Sequence, residues 1–269
     1  MAGGGWLLAA LRHDRLVFLG GLALIQVVAV FYTVAGIGMD MSAVEMTLMA
    51  RPPGQPMEMR QAVAWTPRYA MLIVFMWWIM MIAMMVPSAA PTILLHHGLT
   101  RRQDGSGHDL ATWAFVGGYL AVWALFSVLA TGMQWALQPL GLIAPGMMSL
   151  RGSGLAGAVL ILAGLYQFTP LKHACLRQCQ APAVFLSRHW QPGERGAWAM
   201  GLRHGAFCLG CCWALMLLLF VGGVMNLYWI AGLALLVAAE KYLVRGRLIS
   251  RILGVTLVLW GIWVILSEG

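Results

Sequence analysis

The chain has 269 residues, of which 61% are hydrophobic and only 10% are charged, and its formal net charge is +8. An average soluble domain is about 45–50% apolar and about 25% charged, so this composition excludes a water-soluble globular domain and a disordered chain. The apolar residues form long runs instead of the alternating ~10-residue segments of an outer-membrane barrel. What remains is a bundle of transmembrane helices, which satisfy their backbone polar groups internally in lipid.

Seven apolar runs are candidates for crossing a hydrocarbon core about 30 Å thick. We predict that they form an all-α, polytopic transmembrane bundle of about seven spans, in a single integral membrane domain covering 1–269. The runs are approximately 16–38, 69–95, 111–137, 153–171, 199–222, 226–243 and 250–267. The first run is longer than the apolar part of a signal peptide, so we expect a retained anchor.

A methionine-rich segment follows the first run, in a predicted outer loop at about 39–68. Its methionines are Met39, Met41, Met46, Met49, Met57 and Met59. Thioether sulfur favours Cu(I) and needs no deprotonation, so Met39 and Met41 are candidate ligands that capture a soft ion. The alternative is an amphipathic helix whose methionines lie at the membrane surface.

The second run carries a methionine stripe. Met76, Met80 and Met84 follow one another at intervals of four residues, so a helix places them on one face. They are candidate ligands of the same soft ion, although methionine also fills uneven gaps in helix packing. Pro87 and Pro91 lack a backbone donor and are expected to kink or break this helix.

Two cysteines follow the fourth run, at the start of a predicted cytoplasmic loop at about 172–198. Cys175 and Cys179 are four residues apart and His173 lies close by, so one helical turn would present both thiols on one face. In the cytoplasm such thiols stay reduced. The spacing only partly matches a zinc site, which usually has paired C-x2-C or histidine spacing.

The fifth run contains three thiols within five residues, Cys208, Cys211 and Cys212, followed by Met216. Helical spacing brings all four side chains to one side, and thiolates select Cu(I), zinc or iron–sulfur clusters. The alternative is that free cysteines serve as small apolar residues in the core. At 1.5 Å per residue, Cys208 and Met80 both lie about 16 Å from the outer end of their spans, so the two sulfur stripes could meet at one level if their helices are neighbours.

The sixth run ends in Glu240 and Lys241. A charge at membrane depth needs a partner, so two interpretations are open. Glu240 and Lys241 could form a pair whose side chains extend to the membrane surface, or Glu240 could pair with Arg203 or Lys172.

The positive charges indicate the orientation. With the N-terminus inside and the C-terminus outside, 13 of the 17 Lys and Arg residues fall in inner segments and four in outer ones, as the positive-inside rule requires. We therefore predict a multi-pass protein of a bacterial inner membrane with the lipid bilayer as its main partner. No basic, aromatic-interleaved surface segment indicates nucleic acid.

Three segments resemble a bacterial family of unknown function that is described as predicted metal-binding integral membrane proteins. They are Met80–Ser88, Tyr166–Leu176 and Phe207–Met216, and Gly223–Leu227 and Glu240-Lys241 also match the pattern. The resemblance covers roughly 69–245. It implies a membrane-embedded metal site, and the first 60 residues lie outside it.

The chain shows no Walker A motif, Ser-His-Asp set, HExxH or CxxCH, and we predict no catalytic residues. Our leading hypothesis is an inner-membrane protein that binds a soft metal, Cu(I) before zinc, for transport, chaperoning or metallocentre assembly. A soluble metal donor or acceptor protein is its expected partner. The alternatives are a membrane thiol–disulfide redox protein and a structural subunit whose Met and Cys residues only pack.

Overall fold

The protein is an all-α bundle in a computed structural model that describes residues 4–37, 41–55, 64–103, 108–144 and 148–267. The described helices are α1 Gly4–Ala35, α2 Ala43–Leu48, α3 Pro67–Gln103, α4 His108–Leu137, α5 Ser153–Tyr166, α6 Pro170–Gln180, α7 Pro182–His189, α8 Gly193–Leu217, α9 Leu219–Gly222, α10 Leu227–Tyr242 and α11 Gly246–Leu266. A short antiparallel pair of strands, β1 Ile143–Ala144 and β2 Ser149–Leu150, lies between α4 and α5.

Five of the described helical segments are long and apolar enough to cross a membrane. They are Val17–Ala35, Pro67–Arg101, Asp109–Leu137, Gly193–Gly222 and Gly246–Leu266, and they correspond to five of the seven predicted spans. Large apolar side chains point outward on them, such as Leu24 on α1 and Leu259 on α11. The structure therefore agrees with an all-α membrane bundle.

The other two predicted spans are shorter than expected. The fourth is a bent pair, in which α5 and α6 meet at 64°. Thr169 caps α6, its side chain accepting a hydrogen bond from the Lys172 amide, and Pro170 begins the new helix. The sixth, α10, has 16 residues, about 24 Å of helix. The structure thus contains five clear candidate spans, or six if the bent pair is one span.

Helix α3 continues through Pro87 and Pro91 without a break, so of the expected kink or break, the break is wrong. A proline leaves the carbonyl four residues earlier without its helical donor. Here the Gln26 amide of α1 donates to Ala83 O at 2.7 Å, and the Tyr242 hydroxyl of α10 donates to Pro87 O. Both freed carbonyls are satisfied by neighbouring helices, as buried backbone groups in a membrane require.

The centre of the bundle is formed by α3, α4 and α8. Helix α4 approaches α8 closely at glycines, because a Cβ at Gly118 would lie 2.9 Å from the Leu202 amide nitrogen. Between α3 and α4, the Trp77 indole donates to the Gln134 side chain at 3.3 Å. Helix α6 also packs on α8. This arrangement brings the sulfur-bearing faces of α6 and α8 to the core.

Candidate metal centre

The three cysteines of α8 form one buried group. The exposed fractions of Cys208, Cys211 and Cys212 are 0%, 1% and 0%. The Cys211 and Cys212 thiols donate to the Cys208 carbonyl oxygen at 3.1 and 2.9 Å, and the Cys212 thiol lies close enough to the thiols of Cys208 and Cys211 to interact with both. The predicted common face is therefore present, at the centre of the bundle.

The two cysteines of α6 join this group. The Cys179 thiol lies close enough to the Cys211 thiol for the two to interact, and Cys175 packs over Gly210, where a Cβ would lie 2.7 Å from Cys175 Sγ. Both α6 cysteines are less than one-tenth exposed. The α6 cysteines are therefore not a separate pair but lie against those of α8, while their position on the cytoplasmic side stays a prediction.

The physical reason is the path of the chain after α5. The bend between α5 and α6 turns α6 back onto α8, and the Tyr166 hydroxyl holds the turn by donating to Gly210 O. The predicted loop at 172–198 consequently consists of α6, α7 and the start of α8. His173 lies half-buried on α6, and its Nδ1 has no hydrogen-bond partner among the described residues.

A lysine and a tyrosine contact the cysteine group, and sequence reasoning assigned neither to it. Lys241 Nζ lies 3.0 Å from Cys208 Sγ and 2.8 Å from Ser88 Oγ. The Tyr119 hydroxyl lies 3.2 Å from Cys208 Sγ and donates to Met85 O at 3.1 Å. Lys241 is 5% exposed and Tyr119 is 0% exposed. The ammonium group therefore places a positive charge directly against the thiol.

The neighbouring residue Glu240 is neutralised separately. Its carboxylate accepts two hydrogen bonds from Lys172 Nζ, at 2.7 and 2.9 Å, in a pair that is 0% and 1% exposed. Ser250 also donates to it at 2.7 Å, and Lys172 reaches Gln167 as well. This confirms Lys172, and not Arg203, as the partner of Glu240. The other lysine, Lys241, does not pair with Glu240 and contacts Cys208 instead.

The methionine stripe meets the cysteine group at a different level from the one predicted. Tyr119 and Lys241 place Cys208 beside Met85 and Ser88, which are five and eight residues beyond Met80. At 1.5 Å per residue this is about 8–12 Å further along α3. The candidate thioether ligands are nonetheless in the same core and are at most 3% exposed: Met76, Met80, Met84 and Met216.

The outer methionine segment is only partly described. Met39 lies outside the described residues, and Met41 is half-buried. Met46 is 3% exposed on the short helix α2, which is tied to α10 because the Leu227 amide donates to Thr47 Oγ1 at 2.8 Å. Met46 therefore packs in the core, and Met41 is only partly buried.

The cysteine group is not arranged as a finished cage. Within the described ranges, no three His, Cys, Asp or Glu side chains are already positioned to hold a metal ion. The Cys211 and Cys212 thiols instead donate to the Cys208 carbonyl oxygen. Ligation would exchange these hydrogen bonds for bonds to the metal, through rotation about the cysteine side-chain bonds.

The sequence model of the PpoB2 family, described as copper chaperone, matches residues 74–264. The chain belongs to this family. The match includes every element that contributes to the cysteine group, and its description supports the handling of copper. No curated protein and no solved structure matches the chain.

Proposed function

We propose that this member of the copper chaperone family holds Cu(I) within a bacterial inner membrane, on the buried sulfur atoms of Cys208, Cys211, Cys212 and Cys179, two of which bind it as thiolates. The observation that carries the proposal is the convergence of these four buried thiols from α6 and α8. Four free thiols in one place are unusual as mere packing, and thiolates favour Cu(I). Copper is the cargo of the protein.

Lys241 makes such a site electrically reasonable. Two thiolates and one Cu(I) ion carry a net charge of −1, and isolated charge is costly in a dry interior. The ammonium group 3.0 Å from Cys208 Sγ balances that charge. Each thiol that binds gives up its proton, and the buried ammonium stabilises the anionic site that results.

The remaining sulfur groups extend the site in two directions. Met76, Met80, Met84 and Met216 supply uncharged thioethers within the core, and Met39 and Met41 would capture the ion on the outer side. Cys175 and His173, on α6, would pass the ion to or from a soluble donor or acceptor protein. This arrangement suits chaperoning or transport, with the lipid bilayer covering the outer helix faces.

The first prediction concerns copper retention. Cys208→Ser/Cys212→Ser exchanges soft sulfur for hard oxygen with little change in volume, so we expect the variant to lose its stoichiometric copper. The measurement is the amount of metal per chain, by mass spectrometry, after the protein in detergent has been loaded with Cu(I) under reducing conditions. Cys179→Ser should lower the copper content as well. Cys175→Ser, which packs over Gly210, is the matched control and should retain copper.

Several results would contradict this proposal. Equal copper in the wild type and in Cys208→Ser/Cys212→Ser would show that these thiols do not bind it. If the protein binds zinc in preference to copper when both are offered, the proposed site stands but its proposed metal is wrong. Disulfide exchange with a small thiol–disulfide probe, without metal binding, would favour the redox alternative. The structure does not support that alternative, because exchange needs an accessible thiolate and all five thiols are buried.

A further inference from the structure

Three arginines that the proposed copper site does not use lie around His173, on the exposed faces of α6 and α11. Arg177 is one helical turn after His173 on α6, and Arg247 and Arg251 are one turn apart at the start of α11. All three are exposed and lie close enough to His173 for their charges to act on its ring. We call these three residues the arginine cluster, since two helices bring their positive charges to one place.

A buried carboxylate explains why α6 and the start of α11 lie side by side. Glu240 accepts hydrogen bonds from Lys172 of α6 at 2.7 and 2.9 Å and from Ser250 of α11 at 2.7 Å. Lys172 directly precedes His173, and Ser250 directly precedes Arg251. The buried contacts therefore fix the positions of the exposed residues next to them.

The protein itself does not balance the charge of the arginine cluster. The segment 148–267 is described throughout and contains only two acidic residues, Glu194 and Glu240. Glu240 is paired with Lys172, and no described carboxylate forms an ion pair with the arginine cluster. Arg247 also lies in the first turn of α11, where the helix dipole favours negative charge. An anion bound at the cluster would therefore relieve the repulsion among its members and suit the helix end.

The depth of the cluster indicates which anion it meets. The candidate span of α11 begins at Gly246, so Arg247 and Arg251 lie about 2 and 8 Å along it, and helical side chains point back towards the N-terminus. The headgroup layer of a bilayer is about 5–8 Å thick on each side. Beside the arginines, Leu248 and Ile252 are 47% and 58% exposed, as side chains that face acyl chains are. The cluster thus lies at the depth of lipid phosphate groups.

We propose that the arginine cluster binds the phosphate of an anionic phospholipid, between α6 and the start of α11. Guanidinium groups match phosphate oxygens with pairs of hydrogen bonds, and basic pockets between membrane helices bind anionic lipid headgroups. Lipid covers the exposed apolar side chains beside the cluster in a membrane, which keeps an acidic soluble protein further away than a headgroup. The site needs no copper, so this inference is independent of the proposed function.

The test is native mass spectrometry of the purified, copper-free full chain in detergent, with phosphatidylglycerol and zwitterionic phosphatidylcholine added at equal concentrations. The wild type should retain phosphatidylglycerol in preference to phosphatidylcholine. Arg247→Gln/Arg251→Gln should weaken the binding of phosphatidylglycerol about tenfold or more, because it removes hydrogen bonds between charged groups. Arg188→Gln/Arg195→Gln removes two exposed arginines of α7 and α8 and is the control of equal charge, which should bind the lipid as the wild type does.

The wild type alone can overturn the inference, whether or not the variants fold. Equal retention of the two lipids would exclude a site for anionic lipid. Equal losses in the two double variants would show that overall charge attracts the lipid and that the cluster does not. If inorganic phosphate at the same concentration displaces the lipid, the site is one for free phosphate. If polyglutamate binds through the cluster and phosphatidylglycerol does not, the surface is one for an acidic protein.

Discussion

At the scale of single residues, the placement of Lys241 governs the chemistry of the cysteine group. Residues 240 and 241 are adjacent, but their charged groups point to different partners: the Glu240 carboxylate to Lys172 and the Lys241 ammonium to Cys208. Because Lys172 and Glu240 cancel, Lys241 carries the unbalanced positive charge. A buried charge of this kind needs an anionic partner, and a thiolate or a copper–thiolate centre supplies one.

The second prediction tests this contact. Lys241→Met keeps the long apolar stem and removes the ammonium group. A hydrogen bond to a charged group is worth about 1.5–3 kcal/mol, so Cu(I) affinity should fall roughly 10- to 100-fold, measured by competition with a chromophoric Cu(I) chelator. Arg203→Met, an exposed cation on α8, is the control and should change affinity less than about twofold. Equal losses in both variants would mean that net charge matters and the contact does not.

At the scale of elements, close helix packing positions the thiols. Helix α4 lies against α8 at Gly118, where a Cβ would meet backbone atoms at 2.9 Å and closer. Backbone cannot rotate away as a side chain can, so the interhelical distance depends on the absence of that carbon. Small residues at such crossings are typical of membrane helices. The same contact holds Tyr119 in reach of Cys208.

The third prediction compares two glycines of α4. Gly118→Ala should lower the free energy of unfolding by about 1–3 kcal/mol through overpacking, while Gly132→Ala, which meets nothing within 4 Å, should leave it unchanged or raise it by up to about 1 kcal/mol. The measurement is thermal or denaturant unfolding in detergent, followed by circular dichroism. Similar stabilities of the two variants would refute the close approach of α4 and α8.

At the scale of the whole molecule, the number of membrane crossings sets the side of the C-terminus. Five segments and one bent pair satisfy the requirements for spanning, and α10 with its 16 residues decides between six crossings and seven. The uneven distribution of Lys and Arg favours seven, with the N-terminus inside. In that predicted orientation the α7 end of the bundle would face the cytoplasm.

The fourth prediction is the topology itself. A periplasmic reporter fused after Gly269 should be active, and the same reporter inserted within 100–108 should be inactive, because these sites lie on opposite sides when α10 crosses. A cytoplasmic reporter should give the reverse pattern. If the Gly269 and 100–108 fusions report the same side, α10 does not cross and the bundle has six spans.

The sequence by itself determined what depends on composition and on spacing within one helix. Length and hydropathy predicted an all-α bundle of membrane-spanning helices, and intervals of three and four residues placed Cys208, Cys211 and Cys212 on one face. The copper expectation also followed from ligand chemistry, and the family agrees with it. Each of these inferences needs only local geometry, which side-chain spacing fixes.

The tertiary structure decided everything that depends on which helices are neighbours. It brought Cys179 to Cys211, chose Lys172 for Glu240 and set Lys241 against Cys208. It also kept α3 intact through two prolines, because side chains of α1 and α10 replace the missing donors. Such contacts join residues up to 155 positions apart, and their formation depends on how whole helices pack, which no local pattern in the chain encodes.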